Sequence, residues 1–453
     1  MSDEWDTVVE AVRKRVEPDD DERTAMKEAI ETVTTRLEAA LADLPTDADI
    51  TLAGSGARDT WLAGDRDIDI FVAFPPDTSR EDLESYGLTL GHAALSNGRE
   101  EFAEHPYVVG EYDGFDVDIV PCYDVENATE IQSAVDRTPF HTQYLTERLT
   151  PELAADVRVC KQFLTGIGVY GSDLRTQGFS GFLTELLVLE FGGFRPLVEA
   201  AADWHPPVRL DPENHGQASF EDPLVVIDPT DPERNVAAVL TESNLARLQH
   251  FSRGLLASPD TSYFFPKSVE PLDPSTVRET FIRRETTPVA IRFDPPAVVD
   301  DQLWPQLERS RSGIVEELER RGFAVFRSAA FARAETAVLL FELSVADLPA
   351  VERHEGPPIH VREHAERFYD AYADSDVTGP FIDGDRYVVE RERDHSSVVS
   401  FLTSEELFGV GLGTHIRTAL ESEYELVVGD EVAKLASEFG REFARYLSPT
   451  PRG

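Results

Sequence analysis

Two carboxylates on one face of a short strand, just after a glycine turn, constrain this chain more than any other feature. Residues 54–74 read G-S-G-A-R-D-T-W-L-A-G-D-R-D-I-D-I-F-V-A-F. The four residues before them, 50–53, are β-like, and Gly54-Ser55 opens a turn followed by room for one or two helical turns. Residues 67–72 then alternate polar and apolar, the pattern of a strand with one buried face. Side chains alternate across a strand, so Asp67 and Asp69 share one face while Ile68 and Ile70 share the other. Two carboxylates roughly 7 Å apart along a strand repel each other unless a cation sits between them. Hard divalent ions take such oxygen ligands.

The following residues extend the pattern. Residues 107–112 and 115–120 read as two strands joined by the hairpin signal Asp113-Gly114, and the second carries Asp118, a third candidate carboxylate. Helices are expected over 23–44, where Met26, Ile30, Val33, Leu37 and Leu41 make an apolar stripe, and over 79–97. The outcome is a small mixed sheet backed by helices. Three acids on adjacent strands below a Gly-Ser turn predict two-metal phosphoryl or nucleotidyl transfer. One ion would activate a hydroxyl and the other would hold a triphosphate and neutralise the leaving pyrophosphate. The Ser55 hydroxyl and neighbouring backbone N–H groups suit phosphate oxygens. An isolated D-x-D in an acidic chain is as readily a solvated strand face; the glycine turn upstream and the acidic strand downstream tip the balance.

A formal charge of −44 would by itself argue against a nucleic-acid partner. Only five of the 42 basic residues are lysines, however, at positions 14, 27, 161, 267 and 434. Abundant Asp and Glu with lysine almost eliminated is the habit of proteins adapted to multimolar salt, where the Debye length shrinks to ~3 Å. Such a surface repels a polyanion only weakly, so the acidity describes the solvent. Two cysteines, Cys122 and Cys160, exclude a disulfide framework and a cysteine-based zinc site. The acidic N-terminus lacks an apolar signal region, and no apolar run approaches the ~20 residues of a membrane helix. A cytoplasmic, halophilic protein is expected.

Further along, each polar motif has two readings. In R-T-P-F-H at 137–141, just past the sheet, the His141 imidazole could reach a phosphate or be structural. Lys161 lies at the edge of the apolar stripe of a helix over 151–166; retained where lysine is otherwise purged, it suits a triphosphate. Tyr170, in a glycine-flanked turn, could bind phosphate or ribose, or simply pack. Ser180 caps an apolar core helix over 181–191. A strand over 224–227 leads into the stiff turn D-P-T-D-P at 228–232 and a helix starting near Arg234, which would be presented forward or sit in a surface ion pair.

These residues together resemble the polymerase-β-type nucleotidyltransferase superfamily and, within it, the archaeal class I CCA-adding enzymes. The resemblance rests on G-S-x-A-R-x-T-W-L-x-G with D-I-D and V-D-I-V-P. It continues through R-T-P-F-H, V-C-K-Q-F-L-x-G-I-G-V-Y-G-S at 159–172, D-P-T-D-P-E-R-N-V-A at 228–237 and G-P-P-I-H-V at 356–361. Gly56 and Asp67 depart from the commoner family residues, the latter from a frequent Glu. The resemblance implies addition of C, C and A to tRNA 3′ ends from CTP and ATP, without a nucleic-acid template. It implies Mg²⁺ held by Asp67, Asp69 and Asp118, and nucleotide contacts from Ser55, Arg58, Thr138, His141, Lys161 and Tyr170. Arg234 would lie against the incoming base, since a guanidinium can donate to ring acceptors that C and A share.

The fold expected is α+β multidomain: a polymerase-β-like catalytic head over 1–145, a helical and mixed base-recognition domain over 146–260, and a ferredoxin-like α+β body and tail over 261–453. The C-terminal part reads as strands at 289–293, 323–327, 338–345 and 386–390, with helices at 301–321, 360–373 and 430–447. It would clamp the tRNA acceptor stem by shape and 2′-OH contacts. Arg309, Arg311, Arg320, Arg321, Arg327 and Arg333 could meet phosphates, but most lie beside acids and read as a solvated face. A homodimer stays open. Two other classes fit less well: a poly(A)- or oligoadenylate-synthase-like nucleotidyltransferase, and a non-catalytic RNA-binding protein.

Overall fold

A computed structural model describes residues 2–102, 104–216 and 218–452, which fall into two compact units, 1–267 and 268–451. The first unit opens with α1 (Ser2–Val16), which the sequence reading did not include, and α2 (Asp20–Leu41). Asp19 caps α2 in a reciprocal box: its carboxylate accepts from the Glu22 N–H at 2.8 Å, and Glu22 accepts from the Asp19 N–H at 3.1 Å. Next come β1 (Asp49–Leu52), α3 (Gly54–Arg58), β2 (Asp67–Phe74), α4 (Arg80–Ala94), β3 (Arg99–Phe102), β4 (Pro106–Tyr112) and β5 (Phe115–Tyr123). The sheet order is β1-β2-β5-β4-β3, with β2 parallel to β5 and the other pairs antiparallel.

The hairpin turn forms as its sequence requires, Asp113 and Gly114 both taking positive φ (52° and 79°), the handedness that matches strand twist. The polar edge strand β3, R-E-E-F, carries no alternating apolar pattern, so nothing local in the sequence marks it. Beneath the sheet, Met26, Val33 and Leu37 of α2 and Leu83 and Leu90 of α4 pack on Ile68, Ile70, Val72, Val117 and Ile119. Each such side chain contributes about 1.5–3 kcal/mol on burial. That burial fixes the register and leaves Asp67 and Asp69 on the opposite face.

The chain then enters α5 (Arg137–Thr146), α6 (Pro151–Gly166), α7 (Gly181–Phe191) and α8 (Phe194–Ala202). The short parallel pair β6 (Val208–Leu210) and β7 (Leu224–Val226) and then α9 (Glu242–Ala257) complete this part. Phe163, Phe194 and Phe264 meet at centroid distances of 5.6–6.0 Å in the core of these helices. The Ser180 hydroxyl caps α7 by accepting from the Leu183 N–H at 3.1 Å. No helix begins near Arg234. The Asp228 and Arg234 N–H groups bond instead to the Arg234 and Asp231 carbonyls (3.0 and 3.1 Å), closing a compact turn, and the helix waits until Glu242. Pro229 and Pro232 stiffen that turn without nucleating a helix.

The second unit comprises α10 (Pro274–Arg284), β8 (Thr287–Phe293), α11 (Asp300–Arg320), β9 (Ala324–Ala332), β10 (Ala337–Val345), β11 (Val351–Pro358), α12 (Arg362–Tyr372), β12 (Thr378–Asp383), β13 (Arg386–Glu392), α13 (Val398–Leu402), α14 (Thr414–Ser422), β14 (Glu425–Val428) and α15 (Ala436–Leu447). The antiparallel order β14-β8-β10-β9, with α11 between β8 and β9 and α14 before β14, is the ferredoxin-like arrangement. Strand β10 is buried on both faces, which explains its unbroken apolar run. Leu339, Phe341 and Leu343 pack with Leu307, Ile314 and Leu318, while Val338 and Leu340 pack with Phe439 and Phe443. The expected 430–447 helix starts as a tighter 3₁₀ segment, Gly429–Leu435, before α15. Strands β11, β13 and β12 form a separate sheet inserted between β10 and α13.

Candidate active site

Strand pairing brings the three acids together. In the parallel register of β2 and β5, Asp69 stands directly opposite Asp118, and Asp67 opposite Asp116. Adjacent strands lie ~4.8 Å apart, so Asp67, Asp69 and Asp118 line one face across two strands. Among the described residues none of the three carboxylates takes part in a side-chain hydrogen bond or ion pair, and the electrostatics carry the mark of that. The Asp118 carboxyl is pushed up to about 6, by burial first and then by Asp69, Glu101 and Asp67. Asp69 is raised by burial and by Asp67, against the pull of Arg58. Asp67, the most exposed, is raised by burial and by Asp65 and Asp116.

Gly54 makes room for this. It has φ of +63°, and a Cβ on it would fall 1.8 Å from Asp69 Oδ2, so only glycine lets the carboxylate lie against the turn. Ser55 and Arg58 follow on α3, half-buried above the sheet. Among the described residues no three His, Cys, Asp or Glu side chains already stand close enough to form a finished metal cage. The donor set nonetheless fits hard divalent cations: carboxylate oxygens only, mutually repelling, unpaired and cradled by a glycine.

Beside the acids lies a buried charged cluster centred on Glu185 of α7, which is fully buried. Arg58 Nε donates to Glu185 Oε2 at 3.0 Å, a terminal nitrogen pairs with the same oxygen at 2.8 Å, and the other donates to Thr142 Oγ1 at 3.2 Å. The Thr60 hydroxyl donates to Glu185 Oε1. Lys161 does not sit at the edge of its helix stripe. It is 4% exposed, with Nζ donating to the Thr60 carbonyl at 2.9 Å and lying 3.8 Å from Glu185 Oε1. Burial lowers the Lys161 pKa, and Glu185 opposes that. Two cations against one carboxylate leave a positive surplus beside the acidic face. Tyr170 closes this side; its phenol is raised by burial first and then by Glu185.

A second cluster centres on Asp228, also wholly buried, in the turn after β7. Its Oδ2 accepts from His141 Nε2 and from an Arg234 terminal nitrogen, both at 2.7 Å, and its Oδ1 accepts from the Thr230 N–H and hydroxyl at 2.9 and 2.8 Å. The His141 proton is placed on Nε2 by this network. Burial pushes the Asp228 carboxyl up, but His141 and the Thr230 donors outweigh it and hold the group well below the usual carboxylate range. The His141 ring stacks on Phe182, with centroids 3.8 Å apart and planes 17° from parallel. Thr138, in the first turn of α5, stands one turn before His141. Arg234 borders a cleft of about 1250 Å³, lined also by Arg137, Ser180 and Asp231.

All the candidate residues lie in the first unit, and two structural centres among them, Glu185 and Asp228, escaped the sequence reading. Glu185 had a visible signal: a carboxylate inside the apolar run F-L-T-E-L-L-V-L needs a buried cation. The C-terminal arginines are mostly paired, Arg311 with Glu308, Arg320 and Arg321 with Glu317, and Arg333 with Glu442, as a solvated face requires.

Comparison with known proteins finds family matches along most of the chain. Residues 35–141 match the family model of the nucleotidyltransferase domain, 155–265 that of the tRNA nucleotidyltransferase second domain, and 284–429 that of the CCA-adding enzyme C-terminal domain. The CCA-adding enzyme of Haloarcula marismortui is 60% identical over 466 residues, covering 100% of each chain. That of Halobacterium salinarum is 57% identical over 446 residues, 98% of each chain. The CCA-adding enzyme of Methanoregula boonei is 42% identical over 401 residues, 88% of this chain and 86% of its own.

Proposed function

The chain belongs to the archaeal CCA-adding enzymes of the nucleotidyltransferase superfamily, and from that premise we propose how its residues divide the work of template-independent CCA addition. The substrates are CTP, ATP and the 3′ end of tRNA. Residues 1–145 supply the catalytic head, 146–260 the base-recognition domain, and 261–453 the body that holds the acceptor stem. Asp67, Asp69 and Asp118 hold divalent cations, Mg²⁺ in the cell; when bound, these supply Lewis-acid activation of the terminal hydroxyl and neutralise the departing pyrophosphate.

The protein's own groups do the rest. Ser55 on α3 presents a donor to the triphosphate, and Arg58 on α3 and the buried Lys161 on α6 add positive charge beside it, with Glu185 keeping the two cations in place. Thr138, His141 and Tyr170 border the same nucleotide, and Arg234 reads its base. The observation that carries this reading is the in-register pairing of Asp69 with Asp118 on neighbouring strands above Gly54.

The test is incubation with tRNA lacking its CCA end, CTP, ATP and Mg²⁺ in molar KCl. Products ending in CCA are expected, and Asp69→Ala should still bind tRNA but incorporate nothing. Tails of A alone, or incorporation by the Asp69 variant, would overturn the assignment.

A further inference from the structure

Asp228 lies where two groups with separate tasks converge. One of its oxygens accepts from both His141 and Arg234 at 2.7 Å, and the other is pinned by Thr230. The turn that carries it is closed on itself, the Asp231 N–H reaching the Asp228 carbonyl at 3.2 Å and the Asp228 N–H reaching the Arg234 carbonyl at 3.0 Å. Arg137 ties the same turn to α5 through Asp231 at 3.1 Å. With Phe182 holding the plane of the His141 ring, the carboxylate fixes how far that ring can turn within it. Arg234 is different: its side chain is about one-third exposed and borders the open cleft, so its ion pair with Asp228 is what restrains the guanidinium.

That restraint matters for selection. Cytosine and adenine each present a bare ring nitrogen where uracil and guanine present an N–H. A guanidinium only donates, so a fixed one satisfies the first pair and is left facing a donor in the second. A guanidinium free to swing can reach the carbonyl oxygens of uracil and guanine instead, and the distinction fades. We propose that Asp228 is a positioning residue that locks Arg234 against the incoming base and His141 beside the same nucleotide through one shared oxygen, and thereby sets which nucleotides are accepted. This rests on the nucleotide assignment given above for His141 and Arg234.

Asp228→Asn keeps the size of the side chain and the acceptor for Thr230, while removing the charge that both neighbours share. Steady-state incorporation on tRNA lacking CCA, with each of the four nucleotides in turn, reads the effect. Relative to the wild type, kcat/KM for CTP should fall tenfold to a hundredfold, the loss expected for a charge-assisted hydrogen bond (on the order of 10 to 100). The loss should appear chiefly in KM. UTP should lose less, so the preference for CTP over UTP should drop by about tenfold. Combined with Arg234→Ala, the Asp228 substitution should change the preference no further, because the group it positions is gone.

An unchanged CTP-to-UTP preference in folded Asp228→Asn, or a drop that adds in full to that of Arg234→Ala, would refute the inference. A wild type that fails to prefer C and A over U and G defeats the nucleotide assignment and this inference with it. Discrimination that is intact in the wild type and equally intact in the variant defeats this inference alone. Should circular dichroism show Asp228→Asn unfolded, Thr230→Val loosens the carboxylate without removing it. It should lower the preference in the same direction, by less, and an unchanged preference there is equally fatal.

Discussion

Glu185 offers the sharpest quantitative test of how this site is built. Its carboxylate is fully buried, accepts from Arg58 Nε at 3.0 Å and from Thr60, pairs with an Arg58 terminal nitrogen at 2.8 Å, and lies 3.8 Å from the Lys161 ammonium. Glu185→Gln preserves the shape but leaves two buried cations without their counter-charge. Removing one partner of a buried ion pair costs about 3–5 kcal/mol, because the remaining charge keeps its desolvation penalty and loses its attraction. For a unit of this size that is roughly 10 °C in Tm. The pH dependence has a definite sign. Burial already lowers the Lys161 pKa and Glu185 opposes that, so in the variant the pKa falls further below its unfolded value. The unfolded chain then binds the extra proton across that window, and stability rises with pH through it. The cost of Glu185→Gln should therefore shrink toward alkaline pH, and Lys161→Met should recover part of it in the double variant. Urea unfolding followed by circular dichroism in molar KCl measures all three quantities. A cost below about 1 kcal/mol, or one indifferent to both pH and Lys161→Met, would show that the cluster is not held by charge.

Two further outcomes bear on the acidic face. Gly54→Ala should destabilise the turn and abolish incorporation, since the site needs φ of +63° and the new Cβ would meet Asp69 Oδ2; a variant with wild-type kcat would contradict the cradle. Asp118→Asn should stop incorporation yet stabilise the metal-free protein above pH 6. The folded carboxyl is raised to about 6 by burial first, so the wild type loses stability as pH rises from about 4 to 6. After discounting for partial exposure this amounts to about 1 kcal/mol. Denaturation at pH 8 and pH 5 with EDTA, then with Mg²⁺, checks it; a gap that ignores both pH and metal would be contrary evidence.

Most of the strands, the hairpin and about half of the helices were legible because each carries its own local signal. The alternation over 67–72, the Asp113-Gly114 turn and the stripe of α2 all formed where their patterns lie. Of the elements missed or misjudged, α1 has an apolar stripe of Trp5, Val9, Val12 and Val16, and others carry no such signal. Strand β3, R-E-E-F, is polar and exists because β4 pairs with it. The expected helix at Arg234 gave way to a turn closed by its own backbone hydrogen bonds and by Asp228.

The sequence by itself determined which side chains to propose for the chemistry: the D-x-D on an alternating strand, the third acid after a hairpin, and the lysine kept where lysine is scarce. Tertiary structure alone decided how they are held. The opposition of Asp69 to Asp118 is set by β2–β5 pairing between residues far apart in the chain. Lys161 could be read as a surface residue until α7 supplied Glu185 and the turn after α3 supplied Thr60 to receive it. Periodicity reports which face of an element is apolar, but a buried charge is stable only through partners from other segments, and only the folded chain names them.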